Sequence, residues 1–365
     1  MNFQTMNRKT LVFFLSVMLS IFCLGSSFGC LPANALGDEP LPSWNEGSNK
    51  TEIMAFVNKV TNSESDHYVR PEDRIAVFDN DGTLWAEKPK YFQELFLKEQ
   101  PNTKSKFKLS QLPKTIQEEI DTNGDGKIDS PEIKSVLNEI AVFEGITTDE
   151  YIQKAHDFVY QQKHPEFDAE YIKLTYKPVI ELVNYLKANG FKVYICSGGG
   201  VDFVRSFAED AYGIPSQEVI GSAIKTKFDR EIGGNLIRQP MLAQYNDKQG
   251  KPVGIERHIG KRPIIAVGNS SGDLQMFKYT DVGAEKSLIV LINHDDCKRE
   301  YKYNDTEGKH MERGRLGKPE ELVYDNESLV EANKHDNWKV VSMKNDFNTI
   351  FESDPQRPIP TCPQE

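Results

Sequence analysis

Two aspartates separated by one residue, at the end of a short apolar run, are the groups in this sequence best suited to covalent chemistry. They are Asp79 and Asp81, in Ile75-Ala76-Val77-Phe78-Asp79-Asn80-Asp81-Gly82-Thr83. A carboxylate can attack an electrophilic centre and split a hydrolysis into two easier steps. A second carboxyl group two residues on can protonate the leaving oxygen and later take a proton from water. Those roles require different protonation states, and so environments that push the two pKa values apart. Two more polar clusters follow apolar runs: Ser197-Gly198-Gly199-Gly200 after residues 193–196, and Gly268-Asn269-Ser270-Ser271-Gly272-Asp273 after residues 264–267. One such cluster reads equally as an ordinary turn; three in one chain point to a shared site.

The elements that must position these clusters follow from periodicity. The runs at 75–78, 193–196, 264–267 and 288–292 are short and continuously apolar, as strands buried on both faces are. Between them lie amphipathic stretches such as 52–60 and 179–186, the latter closed by Asn189-Gly190. Strands alternating with helices predict an α/β fold with a mostly parallel sheet, whose ligands sit beyond the carboxyl ends of the strands. Residues 87–177 depart from this alternation. They show helical spacing at 91–97, 133–140 and 151–160 and no convincing strand. We therefore expect a helical cap at 87–177, inserted into a core made of 49–86 and 178–355, with a tail at 356–365.

The segment Phe78-Asp79-Asn80-Asp81-Gly82-Thr83-Leu84 resembles the first motif, DxDGT, of the haloacid dehalogenase-like (HAD) hydrolases. Ser197 resembles their second motif, Lys251 in Gly250-Lys251-Pro252 their third, and 268–273 their fourth. The likeness is nearest to phosphoserine-phosphatase-like members, including exported non-specific phosphatases, and spans about residues 49–351. It implies a Rossmann-like parallel sheet with helices on both faces and a cap of the C1 type. It also implies a phosphatase acting on small phosphomonoesters, with Asp79 as nucleophile and Asp81 as acid and base. Ser197, the amides around Gly198 and Gly199, and Lys251 would meet the phosphoryl oxygens, whose charge needs fixed donors. Mg²⁺ would be held by Asp79, a main-chain oxygen of Asp81 and the fourth motif, an oxygen donor set of the kind this ion prefers. At 269, however, the sequence has Asn where the family usually has a metal-binding Asp. Asp273 is expected to orient Lys251 or a water of the metal. Lys261 is a rival to Lys251, but it precedes its strand and so lies toward the opposite end. The second aspartate favours phosphate esters over haloacids, whose cleavage needs no acid.

A separate signal lies in the cap. Asp121, Asn123, Asp125, Lys127 (through its carbonyl), Asp129 and Glu132 occupy the ligating positions of an EF-hand loop, with Gly126 at the bend. We expect one structural Ca²⁺ there; no second loop is present to make a paired switch. His156, His164, Lys88, Lys90, Arg205, Tyr91 and Phe92 have ordinary structural or surface readings.

The chain has 365 residues and a net charge of −11. Arg8 and Lys9 are the only charged residues among the first 35, so the remainder stands at −13. Such an acidic surface repels phosphate backbones and argues against nucleic acid as a partner. Arg8-Lys9, the apolar run 11–24 and Ala33-Asn34-Ala35 form a signal-peptide pattern over 1–35, followed by a linker at 36–48. This predicts a periplasmic or secreted protein with no stable membrane insertion after cleavage; lipidation at Cys30 and an uncleaved anchor are the alternatives. Outside the cytoplasm, Cys297 and Cys362 could pair, or all three mature cysteines could be free, with Cys196 a buried thiol. A calcium-responsive binding or adaptor protein on an inactive scaffold is the rival to the enzyme reading, with Asn269 in its favour.

Overall fold

The structure is a computed structural model. It describes residues 39–100, 110, 112, 114, 117–118, 130–231, 233–283, 286–303, 309–312, 321–324, 326–353 and 355. The chain divides into two compact units, Met1–Pro40 and Leu41–Glu365. Of the first, only Glu39 and Pro40 are described; the signal expected at 1–35 lies outside the described residues. The second unit carries the sheet and its helices.

The centre of this second unit is a seven-stranded sheet in the order β4-β3-β2-β1-β5-β6-β9. The strands are β1 Ile75–Phe78, β2 Lys192–Gly200, β3 Val219–Asp229, β4 Asn235–Gln244, β5 Ile265–Gly268, β6 Leu288–Asn293 and β9 Trp338–Ser342. All neighbours run parallel except β3 and β4, an antiparallel hairpin. β7 Lys309–Glu312 and β8 Glu321–Tyr324 form a separate antiparallel pair.

The continuous apolar runs have the cause expected of them. Successive side chains on a strand point to opposite faces, and here both faces are covered. Ala76, Phe78, Ile265 and Val267 enter one apolar cluster, with Val57 of α1 Ser48–Thr61 and Leu182 of a helix at Lys177–Ala188. Val77, Ala266, Ile289 and Leu291 enter another, with Ile255, Phe277 and Leu329 from helices at Gly250–Ile259, Leu274–Thr280 and Glu327–Ala332. A strand buried on both faces cannot alternate apolar with polar residues.

Between β1 and the Lys177–Ala188 helix the described residues form three longer helices: α2 Phe92–Lys98, α3 Pro131–Val142 and α4 Thr148–Gln161. Helix α3 starts where Ser130 accepts a bond from the Ile133 amide (3.3 Å) and Pro131 occupies the first turn. Proline there loses no bond, because the first helical amides have no partner within the helix. Phe96, Phe143, Tyr151 and Phe158 share the apolar cluster of β1 with Phe203 and Phe207. A buried cation ties α3 to the hairpin: Arg238 of β4 pairs with Glu139 and, at 2.6 Å, with Asp202. Among the described residues no helix is long and apolar enough to cross a membrane. Cys297 is disulfide-bonded, and Cys196 is a free buried thiol. Cys362 lies outside the described residues.

Candidate active site

Strands β2, β1 and β5 are adjacent, so the three polar clusters lie side by side at their carboxyl ends. The cluster at 197–200, expected to follow its strand, is instead the last part of β2. Asp79 follows the last residue of β1, and its amide donates to Val267 O at 2.9 Å, across to β5. The loop then closes on itself. Asn80 O accepts from the amides of Thr83 (3.2 Å) and Leu84 (2.8 Å), and Gly82 N donates to Trp85 O (2.9 Å). Gly82 is at φ +72°, and a Cβ there would lie 2.0 Å from Asn269 Nδ2. Only glycine fits that conformation and that approach.

Lys251, at the start of the Gly250–Ile259 helix, donates from Nζ to Asp79 Oδ1 and to Asp273 Oδ1, both at 2.6 Å. All three side chains are buried. Asp273 Oδ2 also accepts from the amides of Asn269 (3.0 Å) and Ser270 (3.1 Å), which anchors the fourth cluster to the same cation. One positive charge faces two carboxylates. Burial, then the charge of Asp273, push the Asp79 carboxyl well above the usual range, with Lys251 opposing. Burial alone would lower Lys251, but Asp273 and Asp79 more than reverse this and hold it as an ammonium. The rival Lys261 is exposed and bonds Asp73 Oδ1 at 2.6 Å, away from these groups.

Asp81 stands in different surroundings. Its Oδ1 accepts from the neutral indole Nε1 of Trp85 at 2.8 Å, and that ring stacks on Phe207 at 4.2 Å. Burial pushes its carboxyl up to about 6, against the pull of the Trp85 bond and with Glu87 adding to the rise. Two aspartates two residues apart thus differ in partner: an ammonium for one, an indole for the other.

The second cluster is held from behind. Ser197 O accepts from Asn246 Nδ2 (2.9 Å), and Gly198 O accepts from Ser222 Oγ (2.8 Å). A trans peptide sets N–H opposite C=O, so the amides of Gly198 and Gly199 face away from those anchors. The Gly199 amide donates to Ser197 Oγ at 3.0 Å, and the Gly200 amide to Gln93 Oε1 of α2 at 2.9 Å. In this arrangement the Gly199 donor is already engaged by Ser197 of the same strand end.

Sequence reasoning missed several neighbours. Asp247 and Glu87 are buried beside the crevice. Buried His294 bonds Gly82 O through Nε2 (2.7 Å) and Glu300 through Nδ1 (3.1 Å), and so supports the loop after β1. His294 had a signal: it stands just past an apolar strand run, as the three recognised clusters do. Glu87 and Asp247 had none beyond closeness to Asp81 and Lys251 in the chain.

Of the residues expected to hold Ca²⁺, Asp121, Asn123, Asp125, Lys127 and Asp129 lie outside the described residues. The remaining one, Glu132, reaches the crevice at the strand ends. A Cβ on Gly198 would lie 1.9 Å from its Oε2. That oxygen is buried and has no hydrogen-bond partner among the described residues. Burial, then Asp247 and Asp79, push the Glu132 carboxyl well up.

Asp79 Oδ2 and Asn269 Oδ1 lie 3.5 and 3.4 Å from Thr83 Oγ1, so both oxygens border the same hydroxyl. Among the described residues no three His, Cys, Asp or Glu side chains group to hold a metal. An ion bound beside Asp79 would therefore have to draw on neutral oxygens as well, of which the Asn269 amide is one. An all-oxygen set beside surplus negative charge fits Mg²⁺.

The family model for haloacid dehalogenase-like hydrolases matches residues 76–278, more than half of the chain. The chain belongs to that family. This HAD hydrolase is matched by no curated protein. It is similar to a solved, functionally unknown protein from Anaerococcus prevotii DSM 20548, at 18% identity over 71% of this chain and 89% of that one, TM-score 0.44. A phosphoserine phosphohydrolase-like protein from Francisella tularensis subsp. tularensis SCHU S4 is 20% identical over 60% and 87%, TM-score 0.34. A substrate-bound phosphoserine phosphatase complex is 14% identical over 60% and 86%, TM-score 0.32.

Proposed function

We propose that this HAD hydrolase is a Mg²⁺-dependent phosphatase for small phosphomonoesters, exported after removal of residues 1–35. The observation that carries the reading is the unlike pairing of Asp79 and Asp81. Asp79 must be ionised to attack, a state that the Lys251 ammonium at 2.6 Å and a bound cation would favour against the upward push of burial. The Asp79 oxygen then attacks phosphorus as the ester P–O bond breaks, leaving an aspartyl-phosphate. Asp81, its carboxyl pushed up to about 6, gives its proton to the departing alkoxide. Water then loses a proton to Asp81 and attacks phosphorus, releasing phosphate and restoring Asp79. Lys251 stabilises charge on the phosphoryl oxygens, aided by Ser197 and the Gly198 amide. Mg²⁺, when bound, screens negative charge so that one anion can approach another. The inserted helices bring Gln93 and Glu132 over the crevice, which favours small substrates and excludes water.

The test is a panel of phosphate esters with and without Mg²⁺, run on wild type and Asp79→Asn. Turnover that needs Mg²⁺ and vanishes in Asp79→Asn supports the proposal; normal rates in that variant overturn the nucleophile. A folded chain that turns over nothing in Mg²⁺ is instead a binding protein on this scaffold, the alternative that Asn269 raises. Export is checked by the N-terminal residue of the mature protein: Leu36 for simple cleavage, acylated Cys30 for an anchored form.

Ca²⁺ at residues 121–132 belongs to the same proposal and rests on the sequence pattern. Bidentate ligation would use both oxygens of Glu132, including the one that here lies against Gly198.

A further inference from the structure

We infer that Glu87 supplies the charge that Asn269 lacks, holding the Asn269 amide with its oxygen toward Asp79. The inference rests on the reading of the crevice as a divalent-cation-dependent phosphatase site.

Glu87 is 4% exposed. Its Oε1 accepts from Asn269 Nδ2 at 3.5 Å and lies 3.4 Å from Lys88 Nζ. The two ends of an amide are told apart by their partners. A carboxylate can only accept, so the end of Asn269 facing Glu87 must be the NH₂. That places the oxygen on the other side, toward Thr83 Oγ1 at 3.4 Å, the hydroxyl that also lies 3.5 Å from Asp79 Oδ2. With no such partner the amide could turn and present N–H groups to the cation. Gly82 makes room for the pair: a Cβ there would lie 2.0 Å from Asn269 Nδ2 and 2.9 Å from Glu87 Cδ.

The charge matters as much as the orientation. A neutral amide oxygen is a weaker ligand for a hard cation than a carboxylate. Glu87 is a buried carboxylate in contact with that amide, where charges are screened far less than in water. Its field already reaches the site, since it helps to raise the Asp81 carboxyl. The negative charge that an aspartate at 269 would carry is thus present, displaced to the next side chain. Lys88 offsets it only in part, because its ammonium is partly solvent-exposed and also lies over the Tyr303 ring at 4.4 Å.

The experiment is calorimetric titration of Mg²⁺ into the full chain, which reads affinity without turnover. The proteins are wild type, Glu87→Gln, Asn269→Asp and the double variant. Glu87→Gln should weaken Mg²⁺ at least tenfold, with an unchanged melting temperature in EDTA. Asn269→Asp in that background moves the charge back onto residue 269 and should restore the affinity to within threefold of wild type. Asn269→Asp alone sets two carboxylates face to face and should melt lower in EDTA. Wild-type affinity in Glu87→Gln, or no rescue in the double variant, overturns the role of Glu87. A wild type that binds no Mg²⁺ overturns the divalent-cation reading itself, and this inference with it.

Discussion

Replacing Asp81 by Asn should stabilise the metal-free protein at alkaline pH, and by an amount that the structure sets. Burial pushes the Asp81 carboxyl from 3.8 to about 6. Each tenfold change in its proton affinity is worth about 1.4 kcal/mol, so the ionised form costs the fold about 3 kcal/mol. The sign comes from counting protons. Between the two values the folded chain holds a proton that the unfolded chain has released. The Asp81 contribution is therefore complete below about pH 4 and is lost as pH rises through about 6. Asn cannot ionise, yet its Oδ1 can still accept the Trp85 indole N–H. In EDTA at pH 8, Asp81→Asn should melt about 4 °C above wild type, taking about 2.1 cal/mol/K of unfolding entropy per residue. At pH 4 the two should melt together. Thermal scans in EDTA at both pH values are sufficient. The same gap at both pH values, or a lower melting point for the variant at pH 8, would mean that Asp81 is ionised and well paired in the fold. The general-acid role would then lose its physical basis. In turnover, the variant should slow alkyl phosphates far more than aryl phosphates, whose leaving groups need no proton.

Lys251→Met leaves Asp79 and Asp273 facing each other without a cation; breaking such a buried pair costs about 3–5 kcal/mol. The loss should be smaller at pH 5 than at pH 8 in denaturant melts, because a carboxyl already pushed upward can take a proton. Arg238→Met strips the cation from Glu139 and Asp202, with a loss of about 3–5 kcal/mol by the same reasoning. Because Glu139 also bonds Gln93, which holds the Gly200 amide, KM for an aryl phosphate should rise too. Millimolar Ca²⁺ should raise the melting temperature of wild type and not of Asp125→Ala; equal shifts in both would remove the loop at 121–132 as a site. Asp125 serves better than Glu132 for this test, since Glu132 also lies against Gly198.

Much of the fold was legible locally. β1, β2, β5 and β6 coincide with continuous apolar runs because parallel strands covered on both faces leave no polar positions. The β3–β4 hairpin escaped notice for the opposite reason. Its outer half is solvated, with Phe228 56% and Leu236 47% exposed, so its residues carry no sustained pattern. β9 is an edge strand with a half-buried pattern. At the site, Asp79, Asp81, Ser197 and the 268–273 cluster announced themselves by following apolar runs, although Ser197 proves to lie within β2 itself. Glu87 and Asp247 carry no pattern of their own, and Glu132 was visible only as part of the loop expected to bind Ca²⁺.

The sequence by itself determined the pair of aspartates, their spacing and their place at a strand end, because those properties live within a few bonds of one another. Only the tertiary structure decided what each aspartate faces: Lys251 for Asp79, Trp85 for Asp81. It also decided that Glu87 meets Asn269 and that Glu132 reaches Gly198. Protonation and metal affinity depend on charges a few ångströms away in space. Chain separation says nothing about such distances until the sheet has brought its strand ends together.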